Sequence, residues 1–160
     1  MTSPVKNQVY TAEILGYSSE GLGIARIHGQ VVFVHDAIRG EACDILIMKV
    51  GKSAAFGKAV AWHTVSPHRR EPDCPYYRRC GGCAYRHMDY AEELWAKGQR
   101  VQDALTRLGG SHVQVEEILG ASQPLHYRNK SQYPVSPDGK VGFYRARTHC
   151  VTDQTACLIH

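Results

Sequence analysis

Residues 16–41, with the sequence GYSSEGLGIARIHGQVVFVHDAIRGE, decide the fold class of this chain. Two short runs rich in β-branched residues, 24–27 and 31–34, flank the connection HGQ at residues 28–30. A short connection that contains glycine between two such runs is typical of a β-hairpin. This stretch therefore predicts two paired strands near the start of the chain.

The same pattern continues on both sides of this hairpin. Residues 9–15 supply an apolar run before it, and residues 42–50 and 56–62 supply two more after it, separated by the turn residues 51–53. Five short strands with regular glycine punctuation predict a small closed or nearly closed barrel of the OB type. We therefore expect residues 1–63 to form a five-stranded β-barrel domain.

Beyond the barrel the pattern changes, and residues 64–160 are expected to form a second region. Residues 63–88 hold three prolines and no periodic pattern, which predicts a loop. A helix is predicted over residues 89–108, because Asp89 and Glu92 have the spacing of a capping box and Gly109 follows. Its apolar residues on one face are Leu94, Val101, Leu105 and Leu108.

A β-hairpin is predicted downstream of the helix. Residues 130–135 and 141–145 flank the turn sequence SPDGK at residues 136–140. The fold class expected for the chain is therefore mainly β with one helix, an α+β protein.

Composition places the chain among soluble globular proteins. It has 160 residues, of which 43% are hydrophobic and 21% charged. No apolar run approaches the ~20 residues that span a bilayer, and the start of the sequence lacks the apolar core of a signal peptide. We expect a cytoplasmic monomer without a membrane partner. In a reducing compartment, the six cysteines favour metal binding, catalysis or burial over disulfides.

Positive charge is distributed unevenly along the chain. The net charge is +4, but residues 62–88 hold five basic and two acidic residues, and residues 126–149 hold five and one. Residues 89–125 between them hold three and six. Two basic segments around an acidic one favour a side that faces a polyanion such as RNA, although ordinary solvated charge would give a similar count.

The segment CPYYRRCGGC carries the strongest chemical signal. It places Cys74, Cys80 and Cys83 within ten residues, and the glycine pair between the last two lets the backbone curl around one centre. Three close thiolates with a remote fourth favour a 4Fe-4S cluster, whereas zinc sites more often use two separated pairs. Zinc and unligated thiols remain as alternatives. The gap after Cys74 is too wide for the enzymes that cleave S-adenosylmethionine into radicals.

Cys150 and Cys157 compete for the place of the fourth ligand. Cys150 follows a predicted strand, which would fix its side chain to one face, whereas Cys157 lies beyond it, where a turn could carry the sulfur back. Cys43 is expected to be a buried, inert residue of the barrel. The histidines that flank the cysteine loop, which are His63, His68 and His87, are not needed as ligands when four cysteines are present.

At the level of whole segments, residues 8–62 resemble a TRAM domain, the small RNA-binding barrel of RNA-modifying enzymes. The segments CPYYRRCGGC, HMDYAEELWAKGQRV, HYRNKSQYPV, GFYRARTHCVTD and QTACLIH, in this order, resemble the N-terminal part of the bacterial RNA (uracil-5-)-methyltransferases that act on 23S rRNA. The resemblance covers nearly the whole chain. It implies a 4Fe-4S cluster on Cys74, Cys80, Cys83 and Cys157, since the remote ligand of the family follows the VTD segment.

The resemblance also implies what this chain lacks. In the family a C-terminal Rossmann-like domain binds S-adenosylmethionine, and a cysteine nucleophile adds to uracil C6 so that C5 takes the methyl group. No glycine-rich cofactor loop and no such nucleophile are found in these 160 residues. We therefore expect no catalytic residue here, no methylation by the isolated chain, and a structural role for the cluster.

RNA contacts are expected from cations in the basic segments, which are Arg78, Arg79, Arg128, Lys130, Arg145 and Arg147. Aromatic residues lie among them, and at least two of Tyr127, Tyr133 and Phe143 are expected to pack the hairpin. Two other functions compete with this one. An iron-sulfur electron carrier would not need the barrel or the arginines, and a zinc-stabilised RNA-binding module would have no role in methylation.

Overall fold

The computed structural model describes residues 3–160, which form a curled sheet followed by one helix and a region of loops. The strands are β1 (Val9–Glu13), β2 (Gly16–Tyr17), β3 (Gly23–Ile27), β4 (Gln30–His35), β5 (Ala42–Val50) and β6 (Ala54–Thr64). The helix α1 spans Tyr90–Asp103, and a π-helical turn, Ala104–Leu108, continues it. The mainly β fold class with one helix is confirmed, with β2 as a short sixth strand that was not predicted.

The sheet has the order β1-β5-β6-β4-β3-β2, and all neighbours are antiparallel except β4 and β6. The two edges approach each other where β1 ends. The amide of Ile14 donates to the carbonyl of Glu41, and the amide of Leu15 donates to the carbonyl of Ile24, each at 2.8 Å. Two successive residues after β1 are thus bonded to two different ends of the sheet, one beside β5 and the other on β3. These bonds curl the sheet into a partly open barrel.

The hairpin between β3 and β4 turns on two residues, His28 and Gly29. Both have positive φ angles, 51° and 83°, as a two-residue turn of the primed type requires. Gln30, predicted to lie in the connection, is instead the first residue of β4 and pairs with Ile27. The predicted hairpin is confirmed, with a connection one residue shorter.

Alternate residues of the strands point into the barrel and form its core. Ala25, Val32, Val34, Ile45 and Ile47 are fully buried. Burying each of the larger aliphatic side chains stabilises the fold by about 1.5–3 kcal/mol. The core therefore sets the register of the strands, because a shift of one residue would expose it.

The helix begins as the sequence predicts. The carboxylate of Asp89 accepts a hydrogen bond from the amide of Glu92 at 3.0 Å. Its predicted apolar face, however, is largely open to solvent, since Val101 is 51% exposed and Leu108 88% exposed. The buried residues of α1 are instead Glu92, Ala96 and Gly98.

The predicted β-hairpin around residues 136–140 is reduced to one bridge, between Val135 and Val141. A second bridge joins Tyr144 to Val151. Pro134 cannot donate a ladder hydrogen bond, and both residues of the first bridge are exposed, so little holds longer strands together. Within residues 3–160, no helix is long and apolar enough to cross a membrane.

Candidate metal centre and basic surface

Four cysteines from two distant segments line one cavity. Cys74, Cys80 and Cys83 enter it from the loop after the barrel, and Cys157 enters it from the end of the chain. Tyr77, Gly82, Arg86, Phe143, Gln154, Ala156 and Ile159 complete the lining. Cys150 is exposed and is not part of this lining. The structure thus brings the predicted triad together with the predicted fourth cysteine.

Backbone hydrogen bonds coil the loop between the first two cysteines. The carbonyl of Cys74 accepts from the amide of Tyr77 at 3.1 Å, and the carbonyl of Tyr76 accepts from the amide of Cys80 at 2.7 Å. The sulfur of Cys80 then accepts from the amide of Gly82 at 3.3 Å. These bonds coil the loop whose three cysteines line the cavity.

Gly81 docks this loop on the segment that leads to Cys157. Its amide donates to the carbonyl of Tyr144 at 2.9 Å. A Cβ atom at Gly81 would lie 2.8 Å from that oxygen and 2.9 Å from the amide nitrogen of Ala146, both backbone atoms. Only glycine therefore permits this approach.

A polar clasp holds the C-terminal segment against the cysteine loop. The hydroxyl of Thr152 donates to the carbonyl of Arg79 at 3.3 Å, and the hydroxyls of Tyr76 and Thr155 lie 3.0 Å apart. Cys157 follows two residues after Thr155. Its position at the cavity thus depends on contacts between residues more than 70 positions apart.

The thiols influence one another electrostatically. Burial, together with the charges that Cys80, Cys157 and Cys74 carry as thiolates, raises the pKa of Cys83 to about 11, and the nearby Arg86 partly counteracts this rise in pKa. Arg86 forms an ion pair with Asp73. Across the described residues 3–160, no group of three or more His, Cys, Asp or Glu side chains is positioned to hold a metal ion.

The histidines near the loop have other partners. His63 lies 2.8 Å from the carboxylate of Asp44, His68 lies 3.1 Å from that of Asp89, and Nδ1 of His87 lies 2.6 Å from the hydroxyl of Tyr77. None of them lines the cavity.

Cys43 is fully buried in the barrel core, as expected from the sequence. Burial raises the pKa of its thiol to about 11, which keeps it protonated.

The predicted RNA-contacting cations divide into two groups. Arg78 lies 3.4 Å from Glu71 and 3.7 Å from Asp36, and Arg147 lies 3.1 Å from Glu20. The other four predicted cations are exposed, and no carboxylate among residues 3–160 forms an ion pair with them. They are Arg79, Arg128, Lys130 and Arg145. These four carry positive charge that is available to an external anion.

The aromatic residues of this segment also divide. The rings of Tyr133 and Phe143 pack with centroids 5.0 Å apart, whereas Tyr127 is 59% exposed. Two of the three therefore pack against each other, as expected.

Sequence reasoning missed a joint between the barrel and α1. Glu92, only 2% exposed, accepts two hydrogen bonds from Arg39, at 3.1 and 3.0 Å, and one from the hydroxyl of Tyr17 at 2.8 Å. The guanidinium of Arg39 also lies 3.8 Å from the ring centroid of Trp95. The sequence contains one signal of this contact between the barrel and α1, which is the acidic residue Glu92 at the third helical position. The capping-box pattern accounts for the same residue, so the contact with the barrel is not predicted from it.

A second buried carboxylate, Glu41, closes the end of the barrel. It is fully buried and accepts hydrogen bonds from Arg69 at 2.6 and 2.7 Å and from the indole of Trp62 at 3.1 Å. Burial alone would raise the pKa of Glu41, but the bonds from Arg69 and from backbone amides outweigh it and hold the pKa below its ordinary value. The cysteine loop therefore leaves the barrel from a charged anchor.

Comparisons with known proteins agree with this architecture. Residues 5–60 match the model of the TRAM domain. A protein of Clostridium tetani named as an uncharacterized RNA methyltransferase is 46% identical over 157 residues, which are 96% of this chain and 34% of that protein. One of Bacillus cereus with the same name is 41% identical over 164 residues, which are 99% of this chain and 36% of that protein.

A solved structure shares the fold. It is the tRNA (uracil-54, C5)-methyltransferase of Pyrococcus abyssi in complex with S-adenosyl-L-homocysteine, with a TM-score of 0.58 and 19% identity, covering 92% of this chain and 32% of that one. The chain spans about a third of the length of the relatives that it matches.

Proposed function

We propose that this chain, which carries a TRAM domain and is homologous over nearly its whole length to RNA methyltransferases, is the RNA-binding part of an S-adenosylmethionine-dependent RNA (uracil-5-)-methyltransferase. The observation that carries the proposal is the 46% identity to an RNA methyltransferase, because it extends over both the barrel and the cysteine-rich region of this chain. The uracil-5 reaction is supported by the order of the sequence segments and by the shared fold of the Pyrococcus enzyme. The proposed product is 5-methyluridine.

The proposed substrate is 23S rRNA, with tRNA as the competing one. The sequence segments resemble the enzymes that act on rRNA, whereas the solved structure with the shared fold acts on uracil 54 of tRNA. Direct competition separates the two. A labelled 23S rRNA fragment bound to the chain should be displaced by unlabelled rRNA fragments at lower concentrations than by tRNA, and preferential displacement by tRNA would contradict the rRNA assignment.

RNA binding is supported by the unpaired cations of the second region. Arg79 and Arg145 stand on segments that are joined through Gly81 and Tyr144, so they lie on connected parts of the surface. Phosphate contacts release counterions, and binding should weaken steeply as salt increases. Retention of a labelled RNA by the chain at low salt, lost between about 50 and 200 mM salt, is the expected result. No binding at low salt would overturn the proposed function.

We further propose that Cys74, Cys80, Cys83 and Cys157 hold a 4Fe-4S cluster. The residues around the cavity fit its chemistry, because they offer four thiols and no carboxylate, and Arg86 offsets the thiolate charge. The cavity has a volume of only about 20 Å³, so its lining has to open to seat a cluster. When bound, the cluster supplies a covalent cross-link between the loop and the C-terminal segment.

The sequence spacing of the cysteines favours a cluster over a single zinc ion. Three cysteines lie within ten residues and the fourth is remote, which is common for iron-sulfur cubanes, whereas structural zinc sites more often use two separated pairs or mixtures of Cys and His. Protein purified without oxygen should be brown and contain about four irons per chain. About one zinc and no iron would identify the zinc-stabilised module instead.

Catalysis is assigned to a part of the enzyme outside these 160 residues. The four cysteines of the cavity are assigned as ligands, Cys43 is buried with a raised pKa, and the exposed Cys150 has no base hydrogen-bonded to its thiol among residues 3–160. Incubation with labelled S-adenosylmethionine and unmodified rRNA should give no incorporation above a control without protein. Reproducible incorporation would contradict this assignment. An electron carrier is the other candidate, but the TRAM domain and the unpaired arginines favour RNA.

A further inference from the structure

The outer face of the barrel carries a row of apolar side chains across three strands. Ile24 of β3 pairs with Phe33 of β4, which pairs with Phe56 of β6. Residues that face each other across strands lie on the same side of a sheet. Their strand neighbours Val32, Val34 and Ala55 are fully buried, so the row faces outward from the core.

The two phenylalanines form one surface rather than two separate contacts. Their ring centroids lie 5.4 Å apart with an interplanar angle of 38°. Both side chains are half-buried, so part of each ring is open to solvent. Neither ring belongs to the core cluster of the barrel, which is complete without them.

Cations bracket this row on both sides. Arg26 lies two residues from Ile24 on β3, and Lys58 lies two residues from Phe56 on β6, so each stands about 7 Å away along its strand. Both are exposed. The strands β3, β4 and β6 contain no aspartate or glutamate. These three strands thus contribute an apolar row with a cation at each border and no negatively charged side chain of their own.

The second region adds a further cation at the edge. The guanidinium of Arg147 lies 5.2 Å from the ring centroid of Phe56, while its side chain is 57% exposed and pairs with Glu20. Arg147 therefore stands beside the aromatic row and not in the open basic surface around Arg145. This position connects the barrel face with the region that we assign to RNA.

From this arrangement we propose that the row formed by Ile24, Phe33 and Phe56 is a stacking platform for unpaired bases of RNA, with Arg26 and Lys58 contacting the phosphates around them. This inference rests on the proposed function and names the part of the RNA that the barrel binds. Aromatic rings with neighbouring cations are the means by which proteins hold single-stranded nucleic acid, because each base offers a face for stacking. A duplex keeps its bases stacked inside and cannot use the platform.

The test compares single-stranded RNA with a duplex of the same sequence, using the full chain and fluorescence anisotropy. Phe33→Leu and Phe56→Leu keep apolar side chains and should keep the fold, as thermal melting checks. Each should weaken binding of the single strand about tenfold and that of the duplex less than twofold. Val9→Ala, an exposed apolar residue of β1, is the control and should change neither.

Salt dependence separates stacking from phosphate contact. The leucine variants should keep the salt slope of the wild-type chain, whereas Arg26→Ala and Lys58→Ala should each lower it by about 0.7 for a single strand. If the leucine variants lose affinity equally for the single strand and the duplex, or lose it for neither, the stacking platform is overturned. RNA binding by the wild-type chain would still uphold the proposed function in that case. Absence of wild-type binding to both RNAs would overturn both.

Discussion

The barrel of residues 9–64 and the region of residues 65–160 are stabilised in different ways. The barrel buries ten apolar residues in one cluster, and its strands are hydrogen-bonded over long ladders. The fully described residues 65–160 bury only Met88, Ala96, Val151 and Ile159 among their hydrophobic side chains. The second region therefore depends on polar clasps, on ion pairs to the barrel and, as proposed, on a cluster. A small domain with an inadequate core gains stability from such cross-links.

The largest expected effect tests the dependence of the second region on its cysteines. Cys157→Ser should lose most of the iron, because three thiolates hold a cluster poorly, and residues 65–160 should become sensitive to protease while the barrel stays resistant. Cys150→Ser is the matched control and should keep both iron and resistance. Iron analysis without oxygen and limited proteolysis measure the two outcomes. The reverse behaviour of the two variants would make Cys150 the ligand.

The next effect concerns the charged anchor between the two regions. Glu41→Gln removes the charge that Arg69 pairs with and should lower the free energy of unfolding by about 3 kcal/mol, since breaking a buried pair leaves a charge uncompensated. Glu13→Gln makes the same change at an exposed residue of β1 and should cost less than about 0.5 kcal/mol. Urea denaturation followed by tryptophan fluorescence measures both. Equal costs would show that the anchor contributes little.

The same anchor gives a pH dependence with a definite sign. Because the pKa of Glu41 is lower in the folded protein than its ordinary value of 4.5, its charge stabilises the fold above that value. This contribution is lost as the pH falls through the folded pKa. The difference in unfolding free energy between wild type and Glu41→Gln should therefore be constant from pH 7 to about 5 and shrink in more acidic solution. A difference that grows on acidification would contradict the assignment.

A smaller effect is expected at the joint between the barrel and α1. Glu92→Gln weakens the bonds from Arg39 and Tyr17 and should destabilise the protein by about 1–2 kcal/mol, a value reduced because Arg39 is 36% exposed. Glu93→Gln, the adjacent residue, loses only an i,i+4 pair with Lys97 and should cost about 0.3–0.5 kcal/mol. Amide hydrogen exchange in the first turn of α1 should increase in the first variant alone.

The smallest effect compares two arginines near the cysteine loop. Arg145 has no carboxylate partner among residues 3–160, whereas Arg78 lies near Glu71 and Asp36. Arg145→Ala should therefore lower the salt slope of RNA binding by about 0.7–0.9, and Arg78→Ala by less, because its charge is already offset. Equal changes would show that RNA displaces the acidic partners of Arg78.

The sequence by itself determined the barrel and the local features of the second region. Alternating β-branched residues and the glycine at position 29 predict the β3–β4 hairpin, since these preferences act between near neighbours. The cap at Asp89 was predicted for the same reason, as its carboxylate needs only the amide three residues later. The spacing of Cys74, Cys80 and Cys83 likewise indicated a common centre, because a short loop cannot separate them widely.

Only the tertiary structure decided which distant residues meet. It turned Glu92 away from a capping box toward Arg39, 53 residues earlier, and it left Leu108 in solvent although it shares the apolar stripe of the helix. It also placed Arg147 against Phe56, although the sequence groups Arg147 with Arg145. Each outcome depends on the free energy of packing between elements that are far apart in the chain. A local sequence pattern does not predict that free energy.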